Sequence, residues 1–366
     1  MFASGGIFLE KPYFPRKEAR KLVYNFFQLC YNNGRRIDMK FAIYGIWEEE
    51  YAKLETLSKE IGFSYVATRE SISLNNVELA RGCDGVSSLG KVDANAALMK
   101  ALAGVGIKYF STRTIGYNHI DLAAAKTCGI KVCNSSYPPD SVAEFAVMLM
   151  LLSLRKYKQT LWRQQVNDYS LVGLRGETLK GMTVGVMGGG KIGGRVIEIL
   201  HGFGCRILCC SEDRREDVAK LAEYTDEGTM YALSDIITYH VPCLPTTRYM
   251  LNKQTLSKMK DGVILINTAR GELFDIPALI EGVEGKKIGA LAMDVFEGED
   301  GIYHENRTID ILRNRDMAYL RQFPNVILTP HMAFYTQLSM DSMMETSIKN
   351  LLAFNATGKA PNEIRF

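Results

Sequence analysis

Three residues in this 366-residue chain combine the right types and settings for acid–base chemistry on an anionic substrate: Arg270, Glu299 and His331. Each follows a short apolar run of β-strand character, at residues 263–267, 290–295 and 326–329. The runs lead into Asn267-Thr268-Ala269-Arg270-Gly271, Asp294-Val295-Phe296-Glu297-Gly298-Glu299 and Thr329-Pro330-His331. Ligands of open α/β sheets bind at such carboxyl ends of strands. A guanidinium offers a planar fork to carboxylate and carbonyl oxygens. An imidazole can give a proton near neutral pH, and a paired carboxylate, for which Glu299 is the candidate, favours its charged form. The set suits reduction of a 2-oxo acid, provided a hydride donor is bound nearby. Taken singly, Arg270 reads as a surface ion pair and His331 as a satisfied loop histidine. Glu299 alone belongs to a solvated acidic run, Glu297-Gly298-Glu299-Asp300.

A site for the donor is legible in TVGVMGGGKIGG, residues 183–194. An apolar run at 183–187 breaks into glycines and opens a helical pattern through Leu200. Gly188, Gly190 and Gly193 fit G-x-G-x-x-G at this junction, where a dinucleotide pyrophosphate would meet free N–H groups at a helix start. The first glycine makes the turn, the second admits the phosphates and the third lets helix pack on strand. Among 32 glycines a lone match is weak, and the strand before it and helix after it carry the reading. A second start, Gly104 and Gly106, fails because Tyr109 holds the third position. Behind a dinucleotide loop, the joint placement of Arg270, Glu299 and His331 outweighs their separate bland readings.

These groups need a scaffold, and the pattern supplies one. Strand-like runs at 41–44, 65–67, 85–87, 108–111 and 130–133 alternate with helical stretches at 48–61, 95–103 and 121–127, which implies a parallel sheet covered on both faces. Tyr137-Pro138-Pro139-Asp140 punctuates the chain, and Ser141 is the expected N-cap of a long apolar helix through Leu154. That stretch is too short to span a bilayer and is expected to be buried nearly all round, in a core or a subunit interface. A fresh series of six strands follows at 183–187, 206–210, 236–241, 263–267, 290–295 and 326–329, and a terminal helix at 339–354. The fold expected is α/β, with two doubly wound parallel-sheet domains. Their bounds are 39–137 plus 333–366 and 138–332. Residues 1–38 are basic and aromatic, and read as an N-terminal extension of unknown role.

Composition excludes other classes. Hydrophobic residues make up 47% and charged residues 23%, an ordinary globular balance, and a net charge of +3 argues for neither nucleic acid nor membrane. The eight cysteines lack zinc-site spacing and read as buried free thiols of a cytoplasmic protein. No H-E-x-x-H or histidine cluster suggests a metal. His119, His201, His240 and His304 read as structural or surface residues.

STRTIGYNHID (111–121), PDSVAEFAVMLMLL (139–152), VGVMGGGKIGGRVI (184–197), HVPCLPTTRYM (240–250), INTARGELFD (266–275), AMDVFEGE (292–299) and TPHMAFYT (329–336) occur in this order. At these residues the chain resembles the D-isomer-specific 2-hydroxyacid dehydrogenases. It is similar in particular to the D-lactate dehydrogenase branch with its glycopeptide-resistance members. The resemblance spans everything from about Met39 onward. It implies a flavodoxin-like substrate domain and a Rossmann dinucleotide-binding domain, usually in a homodimer with the long apolar helix near its interface. Arg270 would bind the substrate carboxylate and carbonyl. His331 would be the acid/base, and Glu299 its partner in preference to Glu297, because the family glutamate lies five residues after the aspartate, here Asp294. Lys191 and Ile192 would approach the pyrophosphate. Val241, Pro242, Thr247, Thr268, Ala269 and Asp294 would line the ribose and nicotinamide region together with Arg270. Residues 88–91, Ile115, Gly116, Tyr137, Phe334 and Tyr335 are the substrate candidates.

One position departs from the pattern. About eighteen residues beyond the third glycine, NAD-dependent members place an aspartate on the adenosine ribose. This chain has Ser211 there, followed by Glu212, Asp213, Arg214 and Arg215. Serine and arginines suit a 2′-phosphate and the acids oppose it, so NAD is expected and NADP stays open. The activity expected is a D-2-hydroxyacid dehydrogenase acting on pyruvate. The alternatives are a larger branched or aromatic 2-oxo acid, or a non-catalytic nucleotide-sensing corepressor on the same fold.

Overall fold

The computed structural model describes residues 39–90 and 93–366; the expectations for residues 1–38 and for Lys91 lie outside the described residues. The described chain forms two compact units. One comprises residues 39–138 with Gln337–Phe366, the other Pro139–Thr336.

In the first unit, β1 (Lys40–Tyr44), α1 (Tyr51–Ile61), β2 (Ser64–Thr68), β3 (Gly85–Ser88), α2 (Ala96–Gly104), β4 (Tyr109–Thr112), α3 (Leu122–Thr127) and β5 (Lys131–Cys133) follow in turn. The strands are all parallel in the order β2-β1-β3-β4-β5, the flavodoxin-like order. β1 shows why both faces must be covered. Ala42 and Tyr44 belong to a core with Val86, Leu98, Leu102 and Phe110, whereas Phe41 and Ile43 join Leu54, Phe63, Ile348 and Leu351. Successive strand residues point to opposite faces, so a continuous apolar run needs a layer on each side. The C-terminal helix Gln337–Thr357 supplies part of the second layer and runs longer than the expected 339–354. Asn95 and Asp121 cap α2 and α3 through side-chain oxygens that accept backbone N–H groups. Arg113, fully buried just after β4, donates to the carbonyls of Tyr44 (3.1 Å) and Gly45 (2.9 Å) and to Ser87 Oγ (3.1 Å). It thereby ties together the carboxyl ends of three neighbouring strands.

The second unit runs α4 (Asp140–Leu154), α5 (Tyr157–Gln164), β6 (Thr183–Met187), α6 (Lys191–His201), β7 (Arg206–Cys210), α7 (Glu216–Ala219), β8 (Glu223–Tyr224), α8 (Glu227–Leu233), β9 (Ile236–Tyr239), α9 (Lys253–Ser257), β10 (Val263–Asn267), α10 (Ile276–Glu284), β11 (Ile288–Met293), α11 (Arg315–Leu320) and β12 (Val326–Leu328). Its parallel sheet has the order β12-β11-β10-β9-β6-β7-β8, with the strand order reversing between β6 and β9, where a dinucleotide binds in this architecture. It has seven strands rather than six. The additional β8 is a two-residue edge strand, Glu223-Tyr224, too short and too polar to show as an apolar run. β9 ends at Tyr239 rather than at 241, and β11 starts two residues earlier than expected and ends at Met293.

One expectation for α4 is corrected. Its N-cap is Pro139, and Ser141 lies inside the first turn with its Oγ 2.7 Å from Thr336 Oγ1. Asp140, paired with Arg195 Nε at 2.8 Å, opens the helix. The helix is buried nearly all round, as expected. Val142, Ala143, Ala146, Val147, Leu149 and Met150 are buried, while Glu144 and Met148 stay exposed along one stripe. Among the described residues, no helix is long and apolar enough to cross a membrane.

Candidate active site

The glycine loop joins β6 to α6. Gly188 carries φ +95°, and its N–H donates to the Cys210 carbonyl at 2.8 Å. A Cβ on Gly193 would stand 1.8 Å from the Gly188 oxygen, so only glycine lets the helix lie this close to the strand. A Cβ on Gly190, the N-cap of α6, would meet nothing within 4 Å. Close packing behind the loop and open space in front of it fit a dinucleotide approaching the backbone. Lys191 is exposed and Ile192 half-buried on the first turn of α6. At the end of β10, the buried Thr268 hydroxyl has no hydrogen-bond partner among the described residues, which leaves it for a ligand.

At the end of β7, Ser211 faces Gly189, whose added Cβ would lie 3.3 Å from the serine Cβ. Glu212 and Asp213 are exposed. Arg215 reaches the loop instead, donating to the Gly190 carbonyl at 2.7 Å while pairing with Asp217. Val241 packs on Gly188, where an added Cβ would come within 2.9 Å of Val241 Cγ1. Thr247 Oγ1 accepts the Leu244 N–H at 2.8 Å and donates to the Pro242 carbonyl at 2.6 Å, so its hydroxyl shapes the 242–247 loop.

Arg270 sits on a turn built by Asn267. That buried side chain accepts the Ala269 N–H at 3.0 Å and donates to the Arg270 carbonyl at 2.8 Å. Gly271 presses the turn against the next loop: an added Cβ would lie 2.2 Å from the Glu297 nitrogen. Arg270 is half-buried and donates from Nη1 to the Ala269 carbonyl at 2.6 Å. Among the described residues, no carboxylate pairs with it.

The two glutamates of the acidic run separate cleanly. Glu297 takes Arg248 Nη2 at 2.8 Å and the Tyr249 hydroxyl at 2.6 Å. Glu299 accepts the Phe296 N–H at 2.6 Å with one oxygen and lies 2.5 Å from His331 Nδ1 with the other. An Nδ1–H held by carboxylate leaves Nε2 as the nitrogen that can exchange a proton with a ligand. His331 has φ +50°, unusual for a residue with a Cβ, and its N–H donates to the Asp294 carbonyl at 2.7 Å. The fully buried Asp294 carboxylate accepts Thr329 Oγ1 at 2.6 Å, the Met332 N–H at 2.9 Å and the Ala333 N–H at 2.8 Å. Its side chain is thus committed to holding the turn that carries His331. Burial beside Glu299 and Asp294 pushes the Tyr303 hydroxyl up, so it stays protonated.

β10, β11 and β12 are adjacent and parallel, so Arg270, Glu299 and His331 leave equivalent ends of neighbouring strands of one sheet, the sheet that also carries the glycine loop. Phe334 stands edge-on to the His331 ring, centroids 6.2 Å apart, next to Tyr335. Ile115, Gly116 and Tyr137 lie in the first unit, in the loops beyond the carboxyl ends of β4 and β5. Two contributors escaped the sequence reading. Asn267 could have been found, since an asparagine closing a strand favours a turn on its own backbone. His304 could not: it lies 3.0 Å from the His331 carbonyl, a contact that only the loop's fold creates.

Of the remaining polar groups, His240 is pushed down to about 3 by burial, and its Nε2 lies 2.9 Å from Thr238 Oγ1. The seven described cysteines are free, and burial pushes the Cys133 thiol up to about 12 and that of Cys209 to about 11. Among the described residues, no group of three or more His, Cys, Asp or Glu side chains could hold a metal.

Comparison with known proteins places this geometry in a family. Residues 147–333 match the family model described as "D-isomer specific 2-hydroxyacid dehydrogenase, NAD binding domain". An aromatic 2-oxoacid reductase of Clostridium sporogenes is 38% identical over 327 residues, which are 89% of this chain and 99% of that protein. A D-lactate dehydrogenase of Escherichia coli is 34% identical over 328 residues, 89% of this chain and 100% of that protein. Among solved structures, a D-2-hydroxyisocaproate dehydrogenase superposes with a TM-score of 0.82 at 30% identity, covering 89% of this chain and 99% of that one.

Proposed function

The chain belongs to the D-isomer specific 2-hydroxyacid dehydrogenases, NAD-dependent oxidoreductases, and from that premise we propose which residues do the chemistry and on what substrate. Arg270 binds the substrate carboxylate and carbonyl oxygen; its half-buried guanidinium, with no carboxylate partner among the described residues, supports this. His331 delivers a proton from Nε2 to the oxo oxygen in reduction and recovers it in oxidation. Glu299 holds Nδ1–H in both directions and favours the imidazolium. NAD, when bound, supplies or removes the hydride. Gly188, Gly190, Gly193, Lys191 and Ile192 cradle its pyrophosphate at the start of α6, and Thr268 lines its ribose and nicotinamide region, a reading that its buried, unpartnered hydroxyl supports. The observation that carries the proposal is the 2.5 Å Glu299–His331 pair one strand away from Arg270, in the sheet that bears the glycine loop.

The substrate we propose is a small 2-oxo acid such as pyruvate, with the 39–137 plus 333–366 segments as substrate domain. A larger branched or aromatic substrate is the second reading, favoured by the names of two relatives, the aromatic 2-oxoacid reductase and the D-2-hydroxyisocaproate dehydrogenase. Steady-state reduction of pyruvate, 2-oxoisocaproate and phenylpyruvate with NADH, and with NADPH because Ser211 and Arg215 border the loop, ranks them. Pyruvate with NADH should give the highest kcat/KM; failure with every acid, or loss of less than tenfold on His331→Asn, overturns the proposal.

A homodimer completes it. Beyond α4 and α5, Val166, Leu171 and Val172 are 75%, 82% and 82% exposed, close to the exposed Tyr157, Trp162 and Tyr169. Apolar side chains this exposed suit a second copy, and a cytoplasmic setting suits the free thiols.

A further inference from the structure

A second histidine touches the one assigned to proton transfer. His304 sits on the long loop between β11 and α11, its backbone at φ +62°. Its Nε2 lies 3.0 Å from the carbonyl oxygen of His331. A carbonyl only accepts, so Nε2 carries the hydrogen and donates. The two rings have centroids 6.2 Å apart, and the His304 ring also lies 6.2 Å from Phe334, edge-on. Phe334 in turn is edge-on to His331, so the three rings form a closed triangle.

The backbone of His331 makes this contact consequential. Its left-handed φ of +50° is held on the amino side by its N–H on the Asp294 carbonyl. The Asp294 carboxylate fixes the residues on either side, Thr329, Met332 and Ala333. The peptide plane on the carboxyl side of His331 is gripped by His304. That plane is also held at its other edge by the Met332 N–H on Asp294, so losing the His304 donor releases its carbonyl edge, and the imidazole, anchored otherwise through Nδ1 to Glu299, loses part of its aim. A group misplaced by about 1 Å can cost on the order of a hundredfold in rate.

We propose that His304 is a positioning residue for His331, acting through its Nε2–H on the His331 carbonyl and through the ring triangle with Phe334. It needs no contact with substrate and no change of charge. The proposal rests on His331 being the acid/base, and the experiment separates the two claims. His304→Phe keeps a ring and removes the donor; His304→Gln restores an N–H donor at comparable reach. Steady-state kinetics with the preferred 2-oxo acid, NADH affinity from fluorescence titration and the thermal midpoint are measured for both variants, beside His331→Asn. The expected result is a fall of about tenfold in kcat for His304→Phe, with NADH affinity within twofold of the parent, and recovery to within threefold in His304→Gln. His304→Phe at the parent's kcat, His304→Gln as slow as His304→Phe, or NADH affinity or the thermal midpoint falling in step with kcat would each overturn it. If His331→Asn itself retains the parent's kcat, the reading of His331 fails instead.

Discussion

Glu299 and Glu297 are two residues apart and do different work. Glu297 neutralises Arg248 and bonds the Tyr249 hydroxyl, while Glu299 meets His331 Nδ1. The substitution Glu299→Gln keeps the size and a hydrogen-bond acceptor but removes the negative charge that favours imidazolium. It should lower kcat by roughly ten- to a hundredfold with NADH affinity unchanged, and Glu297→Gln should leave kcat within threefold; steady-state kinetics on the two variants checks this. At this scale the sequence was informative where chemistry is local. The positions of Arg270, Glu299 and His331 after apolar runs were legible, because a strand end is written in the residues before it. The work of Asp294 was not. Its carboxylate serves residues 329–333, more than thirty positions away, and a contact of that range leaves no periodic trace.

Elements explain why those positions are rigid. β6 and α6 meet at Gly193, where even one methyl group would strike the Gly188 carbonyl. The substitution Gly193→Ala should push α6 away from the strand and weaken NADH binding at least tenfold, measured by fluorescence titration, because the helix N-terminus must then retreat from the phosphates. Unchanged affinity would show that the loop tolerates the shift. Most strands were readable, since a parallel strand covered on both faces is a nearly continuous apolar run; Thr183–Met187, Arg206–Cys210 and Val263–Asn267 stand where the pattern puts them. The misses have physical causes. β8 is an edge strand of two residues, half of it charged. The α4 start was misjudged because serine is a good cap, yet Pro139 already terminates the preceding loop, and the Ser141 hydroxyl is taken by Thr336.

For the molecule as a whole, stability should depend on pH through His240. Burial lowers its proton affinity from the ordinary 6.5 to about 3, so between those values the unfolded chain binds a proton that the folded chain does not. The unfolded state then gains from acid, and the fold is expected to lose up to about 1.4 kcal/mol per pH unit below 6.5, with no loss from this group above it. Urea unfolding at pH 7.5, 6.5 and 5.5 checks this, and His240→Gln should flatten the slope; equal slopes in parent and variant would refute the assignment. The helix Gln337–Thr357 has a consequence of another kind. One face of the first sheet, around Phe41, Ile43 and Phe63, is closed by Met344, Ile348, Leu351 and Leu352. Those residues leave the ribosome roughly 300 positions after the strands they cover, at about 5–20 residues per second. The sheet begun first is therefore finished last. For tens of seconds of synthesis its apolar face is covered only in part, by Leu54 and Leu57 of α1, while the whole of Pro139–Thr336 emerges and can fold, which makes the nascent first unit the natural client of a chaperone.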